Sequence, residues 1–243
     1  MILSGAFGGT KSLFYALAAI MPALFLMGYI YRIDSVEREP RGLLMKLVVG
    51  GLLSALGAMI LETVLEPALD VVLDSVSASS VISGIAMATM VAISEEGCKF
   101  FFLKKFSWNH PEFNFRFDGV VYAVFVSLGF AAIENVLYVY SYGMEVLFTR
   151  ALLTVPAHMA FAVYMGMFYG RAKICDVRGQ KDACRSSLRL SLLSAIAMHA
   201  FYDGTLMAGT DLSFYMFIGF VVLMYVVVYN TVRKESYTDE SIY

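Results

Sequence analysis

Apolar runs of about twenty residues recur along almost the whole chain, with short charged segments between them. Nothing else in the sequence limits the fold so severely. In hydrocarbon every backbone N–H and C=O needs a partner inside the protein, which leaves only helices and closed barrels. These runs are too long for barrel strands and lack their period-two alternation, so helices are expected. The reading is an all-α polytopic bundle of about seven transmembrane helices, near 13–31, 43–64, 84–103, 119–140, 147–170, 188–207 and 213–232. Composition agrees, since 16% of the 243 residues are charged, against about 25% in a soluble domain. No repeat or Pro/Gly-rich linker divides the chain. One membrane domain over 1–243 is expected, its motif-bearing core at about 81–208. The first run is too long, and too weakly preceded by positive charge, for a cleaved signal peptide.

Orientation follows from the basic residues. Fifteen of the 18 lie in the segments after runs one, three and five or in the C-terminal tail; Lys11 and Arg150 stand in the alternate segments, and Lys99 lies within a run. That alternation places the N-terminus outside and the C-terminus in the cytosol. The acidic stretch 66–80 reads as an outside loop, Trp108 as a headgroup-level aromatic, and the tail "KESYTDESIY" as a short solvated end. A net charge of −2 gives no reason to expect a nucleic-acid partner; the expected surroundings are lipid. Cys98, Cys175 and Cys184 form neither a disulfide framework nor a zinc-ribbon spacing.

The runs are not uniformly apolar. They carry Glu95, Glu96 and Lys99, then Glu134 beside Asn135, then His158, then His199 and Asp203. Each charge at mid-membrane costs about 2.5–3.5 kcal/mol on insertion scales, so such groups meet one another or mark function. Glu95 and Glu96 stand four and three residues before Lys99, within reach of its ammonium. Glu96 continues a stripe of Gly84, Ala88 and Ala92. His158 heads Ala162, Gly166 and Gly170, and His199 and Asp203 extend Ser187, Ser191 and Ala195. Three small-residue faces, each with ionisable groups, describe a closely packed polar centre. Taken singly, each feature has a plain structural reading as an internal salt bridge, a packed histidine or a helix contact.

Two carboxylates near two imidazoles suit the activation of water. A desolvated carboxylate gains basicity, and adjacent glutamates resist simultaneous ionisation. An imidazole could hold the oxyanion of a tetrahedral intermediate. Amide hydrolysis within the membrane is thus permitted. No GxSxG, HExxH or GxGD pattern offers another nucleophile. Zinc held by Glu95, Glu96, His158 and His199 is chemically possible and is the lesser reading; no cofactor is expected.

The ordered set "EEGCK", "FDGVVYAVFVSLGFAAIENVLY", "PAHMAFAVYMGMFYG" and "HAFYD", spanning about residues 93–203, closely resembles the PrsW family. This is a bacterial branch of the glutamic-type intramembrane proteases related to CAAX prenyl proteases and Abi proteins. The resemblance implies a multi-pass enzyme of the bacterial cell membrane that cuts a single-span, membrane-anchored anti-sigma factor. That cut would begin regulated intramembrane proteolysis and sigma-factor release. It implies catalytic roles for Glu95, Glu96, His158 and His199, with Lys99, Glu134 and Asp203 as supporting polar positions. Glu96 is slightly favoured as the base on its small-residue stripe, with Asp203 orienting His199 and Lys99 steadying the glutamate pair. The related prenyl-protease pattern has an arginine after the glutamates and a histidine where Glu134 stands, so prenylated substrates are not expected. Two other classes compete: a non-catalytic membrane scaffold, which would lack the glutamate pair, and a proton-coupled transporter, which would more often show internal repeats.

Overall fold

The computed structural model describes residues 9–34 and 36–243, so the chain's first eight residues, and the outward terminus expected of them, lie outside the described residues. Within them the chain is helical: α1 (Gly9–Ile33), α2 (Arg41–Ser75), α3 (Ser80–Ser107), α4 (Asp118–Tyr142), the short α5 (Glu145–Thr149), a π-helical turn (Arg150–Thr154), α6 (Val155–Val177), α7 (Lys181–Met207) and α8 (Asp211–Tyr237). Among the described residues, six helical stretches are long and apolar enough to cross a membrane, α5 through α6 counting as one. The seventh long helix, α7, is not among them: Lys181, Asp182, Arg185, Arg189, His199 and Asp203 dilute its hydropathy.

Helix α4 is the axis of the bundle. Every residue from Phe117 to Ala132 is buried, so α4 is enclosed on all sides rather than along one stripe. Around it pack α1, α2 and α6, while α7 closes the ring between α3 and α6. The small-residue stripes sit where expected. Ala88, Ala92, Ser191 and Ala195 are each 0% exposed, and Gly84 lies against the backbone of Met207. The α4–α6 crossing is closer still, because a Cβ on Gly166 would stand 2.4 Å from the Val120 Cα and 2.5 Å from the Gly119 carbonyl oxygen. Backbone cannot yield there as a side-chain tip could. Gly166→Ala is therefore expected to destabilise by about 3 kcal/mol or more, the upper end for overpacking. Gly28→Ala, with nothing within 4 Å, should be neutral or stabilising. Denaturant unfolding in mixed micelles reads both.

Three expectations are corrected. Helix α2 runs on through Ser75, so most of the acidic stretch expected as a loop is helix. Glu66, Asp70 and Asp74 recur every four residues on its exposed side, where water solvates them without breaking the turn. Arg150 is 8% exposed inside the bundle and does not belong with the segment charges. The tail is not a loose end. Its backbone pairs with the α3–α4 loop through Arg116 N–H to Glu240 O at 3.0 Å and Ile242 N–H to Asn114 O at 2.7 Å. Arg116 also pairs with Glu235 and Glu240, the Phe117 N–H donates to the Asp239 carboxylate, and Ile242 is buried. A buried apolar residue and a guanidinium with two carboxylates hold what composition alone leaves solvated.

Carboxylates lie beneath this strap in the α1–α2 connection. Burial, with Asp239 and Glu37 adding negative charge, pushes Asp34 up to about 7. Burial likewise pushes Glu39 up to about 7, against the opposing bond from the Tyr122 hydroxyl. A raised acid leaves folding unpenalised below the ordinary carboxylate range and penalises it fully above about 7. Residues 36–39 and 238–243 should accordingly exchange amide hydrogen more slowly at pH 6 than at pH 8, after correction for intrinsic rates. Glu39→Gln should reduce that difference and leave the share that Asp34 contributes.

Candidate active site

Four elements converge on one buried polar cluster. Helix α3 contributes Glu95, Glu96 and Lys99, which fall on its buried side because they follow Ala88 and Ala92 by one and two turns. Helix α4 brings Glu134 and Asn135, α6 brings His158, and α7 brings His199 and Asp203. The structure thus draws together all eight residues singled out in the sequence.

Lys99 is the hub. Its Nζ donates to Glu96 Oε1 at 2.7 Å and Glu95 Oε2 at 3.0 Å, and lies 3.1 Å from His158 Nδ1 and 3.9 Å from the centre of the Phe130 ring. An ammonium flanked by two carboxylates is a donor only, so His158 Nδ1 accepts. That fixes the other tautomer: Nε2 carries the proton and donates to Glu134 Oε2 at 2.9 Å. His199 stands differently, with Nδ1 at 2.9 Å from Glu96 Oε1 and Nε2 at 3.0 Å from Asp203 Oδ2. Carboxylates on both sides make it an imidazolium that donates twice. Its ring stacks on Phe161 at 4.9 Å.

The two glutamates have different surroundings. Glu96 is 0% exposed, takes two hydrogen bonds on Oε1, and leaves Oε2 buried without a partner. Glu95 is bonded through one oxygen and lines a cavity of about 220 Å³. Also lining it are Glu134, Arg150, His158, His199 and Asp203, with Tyr138, Phe161 and Tyr202 as walls. Four further hollows on the bundle surface reach none of these charges.

Two groups escape sequence reasoning. Arg150 enters from the π-helical turn, its Nη2 2.7 Å from Glu134 Oε2 and its Nε donating to Asn135 Oδ1 at 2.7 Å. The signal was present, since a lone arginine inside an apolar run carries the same insertion cost as Glu134. Glu62 on α2 is the other, with a buried Oε1 lacking a partner.

Glu95, Glu96, His158 and His199 each offer a ligand atom within 4.8 Å of the others, a donor set that zinc accepts. The Lys99 ammonium, however, is hydrogen-bonded into that set, at 3.1 Å or less from three of its four members. A dication among the same atoms would meet this charge at a few ångströms in a low dielectric. As arranged, the site does not fit a metal.

Residues 39–230 match the family model described as PrsW family intramembrane metalloprotease. Three relatives are each named Protease PrsW. That of Geobacillus kaustophilus is 31% identical over 90% of this chain and 92% of its own length. That of Bacillus subtilis is 33% identical over 82% and 85%. That of Clostridioides difficile is 29% identical over 93% and 92%. No solved structure is a significant match.

Proposed function

The chain belongs to the PrsW family of intramembrane proteases, and on that premise we propose that it hydrolyses a peptide bond of a single-span, membrane-anchored anti-sigma factor in the bacterial cell membrane, by glutamic-type chemistry without a metal. The observation that carries this reading is the position of Glu95. It is a carboxylate on the wall of a small cavity, inside a bundle of apolar helices, with a cation and two imidazoles behind it.

Charge balance supports the role. The contacts join four carboxylates (Glu95, Glu96, Glu134 and Asp203) to three cations (Lys99, Arg150 and the His199 imidazolium). One negative charge is left over. A base that takes a proton from water cancels it, and Glu95 is placed to do so while Glu96 is held by Lys99 and His199. Glu96, Lys99, His199 and Asp203 then act as the frame that keeps Glu95 in place, and His158 links this frame to Glu134.

The test is cleavage of a candidate single-span anti-sigma factor by the purified protein in detergent, with and without a chelator. Cleavage that survives chelation supports the reading; loss on chelation would move the chemistry to a metal. A folded wild type that cuts nothing across a panel of such substrates, yet pulls down a partner, would replace it with a scaffold.

A further inference from the structure

Neither imidazole has a proton to spare for a substrate. His158 accepts at Nδ1 and spends its Nε2–H on Glu134; His199 spends both N–H groups on carboxylates. Hydrolysis still needs a donor where the carbonyl oxygen becomes an oxyanion. We propose that Arg150 is a catalytic residue of this site: its guanidinium binds the scissile carbonyl oxygen and stabilises the oxyanion, with Glu134 as its resting counter-ion. The inference rests on the peptidase reading above.

Four observations carry it. Arg150 lines the same cavity as Glu95. Its Nη2 is buried and, although ion-paired with Glu134 at 2.7 Å, makes no hydrogen bond of good geometry; Nη1 donates to no group among the described residues. The rest of the side chain is fixed, by Nε on Asn135 and by the Tyr138 ring 3.8 Å from the guanidinium carbon. Asn135 is itself tied to α1 through the Ala19 carbonyl. Lastly, Arg150 opens the single π-helical turn of the chain's described residues, a local change of winding that often marks a functional site. A guanidinium held in place by its Nε and its stacked ring, with Nη donors left for a further acceptor, has the makings of an oxyanion site.

The step balances. Glu95 removes a proton from water as the water oxygen bonds to the carbonyl carbon, and the carbonyl π pair moves onto the oxygen facing Arg150. Collapse of that intermediate re-forms C=O and breaks C–N, and the proton on Glu95 passes to the leaving nitrogen. Arg150 transfers nothing; its N–H bonds shorten onto the oxyanion and relax afterwards.

The experiment compares purified wild type with Arg150→Gln, Arg150→Lys and Glu134→Gln on a substrate that wild type cleaves, together with a peptide phosphinate mimicking the tetrahedral intermediate. Both Arg150 variants should lose about 10²–10³-fold in kcat, the scale of one oxyanion donor, with KM changed by no more than about threefold. Their phosphinate inhibition constants should rise in step with the fall in kcat/KM. Arg150→Lys retains the charge beside Glu134, and differential scanning fluorimetry in the same detergent checks that each variant is folded, so that a loss of kcat is read only from folded protein. Glu134→Gln should lose about tenfold or less. If Arg150→Lys keeps wild-type kcat, or phosphinate affinity is unchanged, Arg150 merely positions Glu134 and the inference fails. Wild type that neither cleaves nor binds phosphinate would overturn the peptidase reading itself.

Discussion

Glu95→Gln is expected to lower kcat by at least about a thousandfold, within the range for a lost general base, while KM and thermal midpoint stay near wild type. The amide keeps the size and one acceptor of the carboxylate, and only one oxygen of Glu95 is bonded. What disappears is the group that takes a proton from water. Glu96→Gln should look different. That side chain is fully buried and receives both Lys99 and His199 on one oxygen, so its variant should lose thermal stability as well as activity. Steady-state kinetics beside differential scanning fluorimetry in the same detergent separates the two. A Glu95→Gln protein with wild-type kcat would remove Glu95 as the base. The same result paired with an inactive but thermally intact Glu96→Gln would transfer the role to Glu96.

Replacing Lys99 should have the largest effect on stability. Lys99 is 1% exposed, and its ammonium holds Glu95, Glu96 and His158 together across α3 and α6. Breaking a buried ion pair by removing one partner typically costs about 3–5 kcal/mol, because a charge is left uncompensated. Lys99→Met keeps the apolar stem and should lose that much in an equilibrium unfolding series. Lys99→Ala tests the metal question from the other side. With the ammonium gone, the remaining donors form an open two-carboxylate, two-imidazole set, and this variant should take up zinc measurable by elemental analysis. Wild type, whose ammonium occupies the set, should not. Wild type that carries stoichiometric zinc would mean that Lys99 swings out of the site.

The helical bundle and the polar centre were both legible in the sequence for the same reason. Hydrocarbon makes each charge expensive, so Glu95, Lys99, Glu134, His158, His199 and Asp203 stand out against their runs and must find one another. What stayed hidden was direction. The small-residue stripe already turned Glu96 inward and favoured it as the base, but only the packing of α3 against α7 shows that this enclosure shuts Glu96 off while Glu95 faces the cavity. Arg150 was hidden by its address, since topology counting treats an arginine near a helix end as a flank, and a π-helical turn is not written in a hydrophobic period. The tail was misread because its docking depends on Arg116, some 120 residues away in sequence.

The weak hydropathy of α7 has a consequence for how the protein is made. A helix that carries His199 and Asp203 besides four charges in its first nine residues is poorly suited to partition into lipid alone. Helix α3, with two glutamates and a lysine, is laid down earlier with its charges only partly matched. The His199–Glu96 contact offsets part of the cost of both helices, so α7 is expected to be retained in the bilayer only with α3 already in place. Substitutions in the cluster would then register first as polypeptide that fails to integrate and is degraded, before any enzyme exists to assay.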